Sequence, residues 1–116
     1  SSTRSMRVDG VVTSIRLETF FWETLEEIGF REDMSVSQLV TKLYLESVEA
    51  GHNINNFTSF LRVCAGRYLA LIADEKLQRD MSASLANVDA DGLINEEDSL
   101  RIQRKAMFAK KELSIQ

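Results

Sequence analysis

The pattern of apolar and polar residues changes its period within residues 11–28. Side chains alternate between two faces from Val12 to Leu17, with Ser14 and Arg16 on the polar face, which is typical of a β-strand. From Phe21 onward, apolar residues recur at the spacing of one helical face, at Phe21, Leu25 and Ile28. The sequence therefore predicts one short strand that leads directly into a helix.

Capping residues and glycine predict the helix boundaries, since the chain contains no proline. Ser35 is a favourable N-cap, Gln38 completes a capping box three residues later, and Gly51 ends the same helix before a polar connection at residues 51–56. The predicted helices run from Glu18 or Thr19 to about Glu32, from about Val36 to Ala50, from Phe57 to about Gln78, and from about Glu96 to Glu112. The predicted organisation is an N-terminal arm (1–10), a helical domain (11–80), and an acidic loop with a final helix (81–116).

A lone strand cannot satisfy its backbone hydrogen bonds within one chain, and even an isolated two-stranded hairpin is marginal in water. The pattern thus favours a homodimer in which two copies of the strand pair antiparallel about a two-fold axis. Such pairing places Thr13, Ile15 and Leu17 against the helices and leaves Val12, Ser14 and Arg16 outside. The predicted fold class is a mostly helical homodimer with a two-stranded intermolecular ribbon, and that ribbon is narrow enough for the DNA major groove.

Composition narrows the class of protein further. The 116 residues include 44% hydrophobic and 28% charged residues, the net charge is -4, and no apolar run reaches the length of a membrane span. A single cysteine, Cys64, excludes an internal disulfide framework, and no signal peptide is evident, so we expect a cytoplasmic protein. The acidic balance argues against non-specific nucleic-acid binding by the whole molecule, and any DNA-binding surface should be local.

The ordered motifs TSIRLE (Thr13–Glu18), FW, MS (Met34, Ser35) and NFTSFLRV (Asn56–Val63), together with Leu25, Ile28, Leu39 and Tyr68, resemble the ribbon-helix-helix DNA-binding proteins. The resemblance extends over roughly residues 4–69 and is to the bacterial branch with an extra helix after the core. It implies an obligate homodimer that binds double-stranded DNA as a sequence-specific transcriptional regulator, namely a repressor.

The resemblance also implies roles for individual residues. Val12, Ser14 and Arg16 would read bases, and the amides at Ser35, Val36 and Ser37 would hold a phosphate. Arg4 and Arg7 in the arm supply further positive charge for DNA. The residues expected at the dimer interface are Thr13, Ile15, Leu17, Trp22 and Leu39.

One departure from the family pattern favours an alternative function. The bacterial branch tends to carry basic residues directly before TS, where this chain has Val11 and Val12. The alternative is a degenerate ribbon-helix-helix module for protein interaction, an adaptor or an antitoxin-like protein, that holds a partner through its C-terminal helices and binds no DNA.

The acid-rich segment NVDADGLINEED has the spacing of a calcium loop. Asn87, Asp89, Asp91 and Asp98 would be the ligands, whereas the competing interpretation is a turn at Asp91–Gly92 followed by a capped helix. No other cofactor is expected. No nucleophile, base and orienting group occur together, so no enzymatic activity is predicted.

Overall fold

A computed structural model of the chain describes residues 1–52 and 54–115. Two antiparallel strands, β1 (Ser2–Val8) and β2 (Val11–Leu17), precede four α-helices, α1 (Thr19–Arg31), α2 (Val36–Glu49), α3 (Phe57–Ala73) and α4 (Ala90–Ile115), with a short 3-10 turn at Ile54–Asn56. The predicted mostly helical fold with a two-stranded antiparallel sheet is confirmed. Asn53, in the predicted connection, lies outside the described residues.

The first strand corrects the prediction of an N-terminal arm. Asp9 and Gly10 both have positive φ, 50° and 81°, which is the geometry of a two-residue type I′ hairpin turn. The turn pairs β1 with β2 inside one chain, from Val8 opposite Val11 to Ser2 opposite Leu17. The strand predicted to lack a partner in its own chain therefore has one, and this chain does not need to dimerise in order to pair that strand.

One face of the hairpin packs on the helices and forms the core. Ile15, Leu17, Trp22 and Leu39 are each at most 3% exposed in the single chain, and Thr13 is half-buried. Trp22 also donates from Nε1 to the Ser2 carbonyl oxygen at 2.9 Å, which ties α1 to β1. These predicted dimer-interface residues are thus already buried, and a dimer that keeps this fold must bury other groups.

The helices near the hairpin begin and end close to the predicted positions. The Ser35 hydroxyl accepts from the Gln38 amide while the Gln38 side chain accepts from the Ser35 amide, which confirms the capping box. Glu18 precedes α1 without capping it, because its carboxylate pairs with Arg62 of α3 at 2.9 Å. The side chain that the sequence offers as a cap is used in a tertiary contact.

The two C-terminal helices differ from their predicted limits. The third helix ends at Ala73 rather than Gln78, because Asp74 caps it and Glu75 adopts a left-handed φ of 58°. The last helix begins at Ala90 rather than Glu96, since the Asp89 carboxylate accepts from the Gly92 amide at 3.1 Å and the Asp89 carbonyl accepts from Leu93. None of the helices in the described part of the chain combines the length and apolar character that crossing a membrane requires.

Candidate nucleic-acid interface

The hairpin presents a polar face to solvent on the side opposite the core. Side chains alternate along both strands, so the register brings six residues together on this face as three cross-strand pairs: Thr3 with Arg16, Ser5 with Ser14, and Arg7 with Val12. All six are exposed. The face carries two arginines and four uncharged side chains, so it is locally positive in a chain whose net charge is -4.

The predicted reader residues Val12, Ser14 and Arg16 lie side by side on this face, as the strand pattern required. Ser14 Oγ lies 3.2 Å from Ser5 Oγ, within hydrogen-bond distance. Arg16 makes no hydrogen bond or ion pair with any described residue, so its five donors are available to a ligand. A planar fork of donors on an exposed strand suits the O6 and N7 acceptors of guanine.

The arginines of the predicted arm take separate positions because β1 is a strand. Arg7 is on the polar face, where its Nη1 donates to the Gly10 carbonyl at 3.3 Å. Arg4 points to the opposite side, where it pairs with Glu26 at 2.6 Å and its guanidinium carbon lies 4.7 Å from the centre of the Trp22 ring. Arg4 is therefore not part of this face, and its predicted contact with DNA stays a prediction.

Thr3 and Ser5 complete the face and were missed by sequence reasoning. The signal was present, since Asp-Gly between two alternating segments is a strong hairpin pattern. Polar Thr3, Ser5 and Arg7 alternate with inward residues. Among these, Met6 is half-buried and Val8 is buried. An N-terminal stretch with few large apolar residues resembles a flexible arm unless the turn is interpreted as the centre of a hairpin.

The outer edge of β2 is open. In a two-residue hairpin Val8 and Val11 form a hydrogen-bonded pair, so by alternation the backbone N–H and C=O groups of Val12, Ser14 and Arg16 point away from β1. None of the described residues bonds to these outward backbone groups. On β1, by contrast, the Arg7 carbonyl accepts from Ser37 Oγ and Thr41 Oγ1 of α2, both at 3.3 Å. One edge of the sheet is covered by a helix, and the other can accept a strand.

The start of α2 lies beside the hairpin through the Ser37 contact with β1. Of the three predicted phosphate-holding amides, that of Ser35 is already occupied by the Gln38 side chain. The amides of Val36 and Ser37 are in the first helical turn, where no residue four positions back can pair with them. The structure thus leaves two of the three predicted amides suited to an anion.

The segment from Asn87 to Asp98, predicted as a calcium loop, is largely helical in the structure. Asp91 and Asp98 are in α4, Asp89 caps that helix, and Asp98 pairs with Arg67 at 3.1 Å and with Arg101. The described residues contain no cluster of three or more acidic, histidine or cysteine side chains that could hold a metal ion. The acidic residues of this segment cap α4 and form ion pairs, whereas the turn that the competing interpretation placed at Asp91–Gly92 lies inside the helix.

Cys64 is a poor candidate for a reactive cysteine. It is half-buried on α3, and burial, assisted by the negative charge of Glu46, raises the pKa of its thiol to about 11. A thiol with so high a pKa carries little thiolate at neutral pH and is a poor nucleophile. Nothing in this part of α3 competes with the hairpin face as a site.

Comparisons with known proteins agree with this geometry. The sequence model of a family, described as the ribbon-helix-helix domain, matches residues 1–69, which include both strands and most of the first three helices. The solved structure of an uncharacterized protein from Bordetella pertussis Tohama I is similar, with 44% sequence identity and a TM-score of 0.73, over 79% of this chain and 74% of that one. No curated protein matches. With more than half of its length matched by the family model, this chain belongs to the ribbon-helix-helix domain family.

Proposed function

We propose that this protein is a sequence-specific DNA-binding transcriptional regulator, a repressor, that acts as a homodimer in the bacterial cytoplasm. The observation that carries the proposal is the combination of an exposed face containing Arg16, Ser14 and Arg7 with an open edge on the same strand. The ribbon-helix-helix family is associated with DNA-binding regulators, and no catalytic role is needed for this activity.

The proposed dimer joins two hairpins through their β2 edges. Ser14 is the middle residue of β2, so antiparallel pairing about a two-fold axis places Ser14 opposite Ser14 of the partner subunit. In this register Val12 lies opposite Arg16 of the partner subunit, and all the outward backbone groups of Val12, Ser14 and Arg16 are paired. The result is a four-stranded sheet in place of the two-stranded ribbon expected from the sequence.

In a sheet of this width, β1 and β2 would contact different parts of the DNA. Strands are about 4.8 Å apart, so β2 would lie about 2.4 Å from the two-fold axis and β1 about 7 Å from it. The major groove is about 12 Å wide, which places the side chains of β2 over the groove floor and those of β1 over its rims. Arg16 would then contact base edges, and Arg7 would contact phosphates together with the Val36 and Ser37 amides.

Dimerisation is tested by blocking the open edge. Proline at position 14 removes the amide that the partner would use, and proline is tolerated where a strand edge faces solvent. We expect Ser14→Pro to be monomeric by sedimentation velocity at micromolar concentration, while the wild type is dimeric. Ser14→Ala is the matched control, since it changes the same side chain, keeps the amide and should stay dimeric. A wild type that stays monomeric at high concentration would contradict the proposed dimer.

DNA recognition is tested by selecting a target from a random pool and comparing two arginine variants. Arg16→Ala should reduce the preference for the selected sequence, because each lost bidentate base contact costs roughly 1 to 3 kcal/mol. Arg7→Ala should weaken all sequences similarly and lower the slope of log affinity against log salt. Failure to enrich any sequence would oppose DNA recognition, and an Arg16→Ala protein with full preference would exclude the β2 face as the reading surface.

The second candidate is the protein-interaction module, an adaptor or antitoxin-like protein. It is favoured by the exposed apolar side chains in the last turns of α4, which are Ile102, Met107, Phe108, Leu113 and Ile115. Pull-down of a defined partner that is lost on deletion of residues 105–116, together with no enrichment of DNA, would support this candidate over the first.

A further inference from the structure

Val12 is an exception on an otherwise polar face. Its side chain is 64% exposed, and its neighbours on the outward side of the hairpin are arginine, serine and threonine. Val11 is equally exposed, at 65%, but because side chains alternate it belongs to the opposite face at the hairpin tip. An isopropyl group among hydrogen-bonding side chains gains nothing from water and is suited to an apolar contact.

The proposed dimer places this apolar group beside an arginine of the other copy. With Ser14 on the two-fold axis, Val12 and Arg16 of the partner subunit form a hydrogen-bonded pair whose Cα atoms are about 5.5 Å apart. Both side chains project from the same face of the sheet. Each end of the central ribbon therefore presents one valine from one copy and one guanidinium from the other.

We infer that this composite pair recognises a thymine methyl group next to a guanine, an inference that rests on the proposed DNA-binding function. Thymine is the base whose edge carries a methyl group in the major groove, and apolar side chains pair with it there. The acceptors and donors of the other base edges would lose water against valine and gain no hydrogen bond. Val12 selects thymine, and the partner's Arg16 selects the neighbouring guanine.

The geometry also fixes where these bases lie. Val12 is two residues from the two-fold axis, or about 6.6 Å along the strand. Base pairs are stacked about 3.4 Å apart, so each contacted thymine lies about two base pairs from the centre of the target. The two thymines of a symmetric target are then separated by about four base pairs, with a guanine within one or two base pairs of each.

The experiment deletes the methyl group from DNA and leaves the hydrogen-bonding groups in place. Each thymine of a target selected from random DNA is replaced in turn by deoxyuridine, and binding is measured by fluorescence anisotropy with the full-length protein. Loss of one buried methyl group corresponds to about a four-fold lower affinity. We expect this loss at one thymine in each half of the target and about a fifteen-fold loss when both are replaced, as for independent contacts.

Paired protein variants assign the effect to Val12. Val12→Ala should bind thymine and deoxyuridine targets equally, whereas Val11→Ala, with the same residue type and exposure on the other face, should keep the wild-type difference. A cytosine in place of the critical thymine should lower affinity, and 5-methylcytosine should restore it in the wild type but not in Val12→Ala. For Arg16→Ala, replacing guanine by 7-deazaguanine, which lacks N7, should have no effect at a guanine adjacent to that thymine.

The outcomes separate this inference from the proposed function. If a target is enriched but deoxyuridine has no effect, or has the same effect in Val12→Ala as in the wild type, the methyl contact is wrong while DNA binding stands. If no guanine sensitive to Arg16 lies within two base pairs of a thymine sensitive to Val12, the symmetric register is wrong. If no target is enriched, the proposed function fails before the methyl group is tested.

Discussion

The N-terminal region, which comprises the hairpin and the first three helices, differs from α4 in where its apolar side chains lie. In the N-terminal region the apolar side chains of both strands and three helices form one cluster, and Leu17, Trp22 and Leu25 are completely buried. In α4, Glu97 is the buried residue, while Met107 and Phe108 are 67% and 62% exposed. Ion pairs therefore attach α4 to the rest of the fold, while apolar side chains near its end stay exposed to solvent.

Ion pairs also show how α4 is oriented. Arg67 of α3 pairs with Asp98 at 3.1 Å, and Asp74 pairs with Arg104 at 3.6 Å, so the two helices run in the same direction. The last eleven residues of α4 continue past this contact, over a length of about 16 Å. Residues 101–116 have a net charge of +4, whereas residues 1–100 have -8. The body of the protein is thus acidic and packed, whereas the end of α4 is basic and unpacked.

A substitution in the packed N-terminal region should cause the greatest loss of stability. Trp22→Ala removes a completely buried indole and its hydrogen bond to Ser2, and we expect a loss of roughly 3 to 5 kcal/mol in unfolding free energy. Urea denaturation followed by circular dichroism measures it. Phe30→Ala on the same helix is the control, since Phe30 is 68% exposed and its removal should change stability by less than about 0.5 kcal/mol. Equal losses in the two variants would contradict the core as described.

A smaller effect concerns the connection between the two regions. Glu27 of α1 accepts from Arg79 at 2.6 Å and from the Tyr68 hydroxyl, so it anchors the segment that leads to α4. We expect Glu27→Gln to lose about 1 to 2 kcal/mol in unfolding free energy, measured by urea denaturation, because hydrogen bonds to a charged group are weakened.

The same carboxylate predicts a pH dependence. The hydrogen bond from Arg79 holds the pKa of Glu27 below its usual value of 4.5. Its stabilising contribution is therefore complete above pH 4.5 and is lost as the pH falls through the lowered pKa. Denaturation between about pH 6 and pH 3 should show a steeper loss for the wild type than for Glu27→Gln. Glu23→Gln, at an exposed carboxylate of the same helix with no partner among the described residues, should follow the wild type.

Deletion of the end of α4 should have the smallest effect on stability. Ending the chain after Arg104 deletes residues 105–116, whose described members are all exposed, so unfolding free energy should change by no more than about 0.5 kcal/mol. Thermal unfolding of the shortened and full-length proteins measures this difference. A loss of several kcal/mol would mean that the end of α4 is packed in solution, against a second copy or another part of the chain.

Elements whose signals lie within a few neighbouring residues were predictable from the sequence alone. Alternation fixed which side of β2 is outside, and the Ser35–Gln38 pattern fixed the start of α2, because period and capping depend on residues only a few positions apart. The ordered motifs also identified the family. The first strand could have been predicted as well, from Asp9–Gly10 between two alternating segments.

Other features depended on contacts between residues far apart in the chain. Only the fold decided that Arg4 stacks on Trp22 while Arg7 faces solvent, since β1 has few large apolar residues to mark its inner side. The segment 87–98 satisfied both a metal loop and a capped helix, because aspartate favours each of them. Arg67, more than twenty residues earlier in the chain, pairs with Glu97 and Asp98 within α4. Which of the two structures forms depends on which charged side chains lie close together in the fold, and spacing along the chain does not specify this.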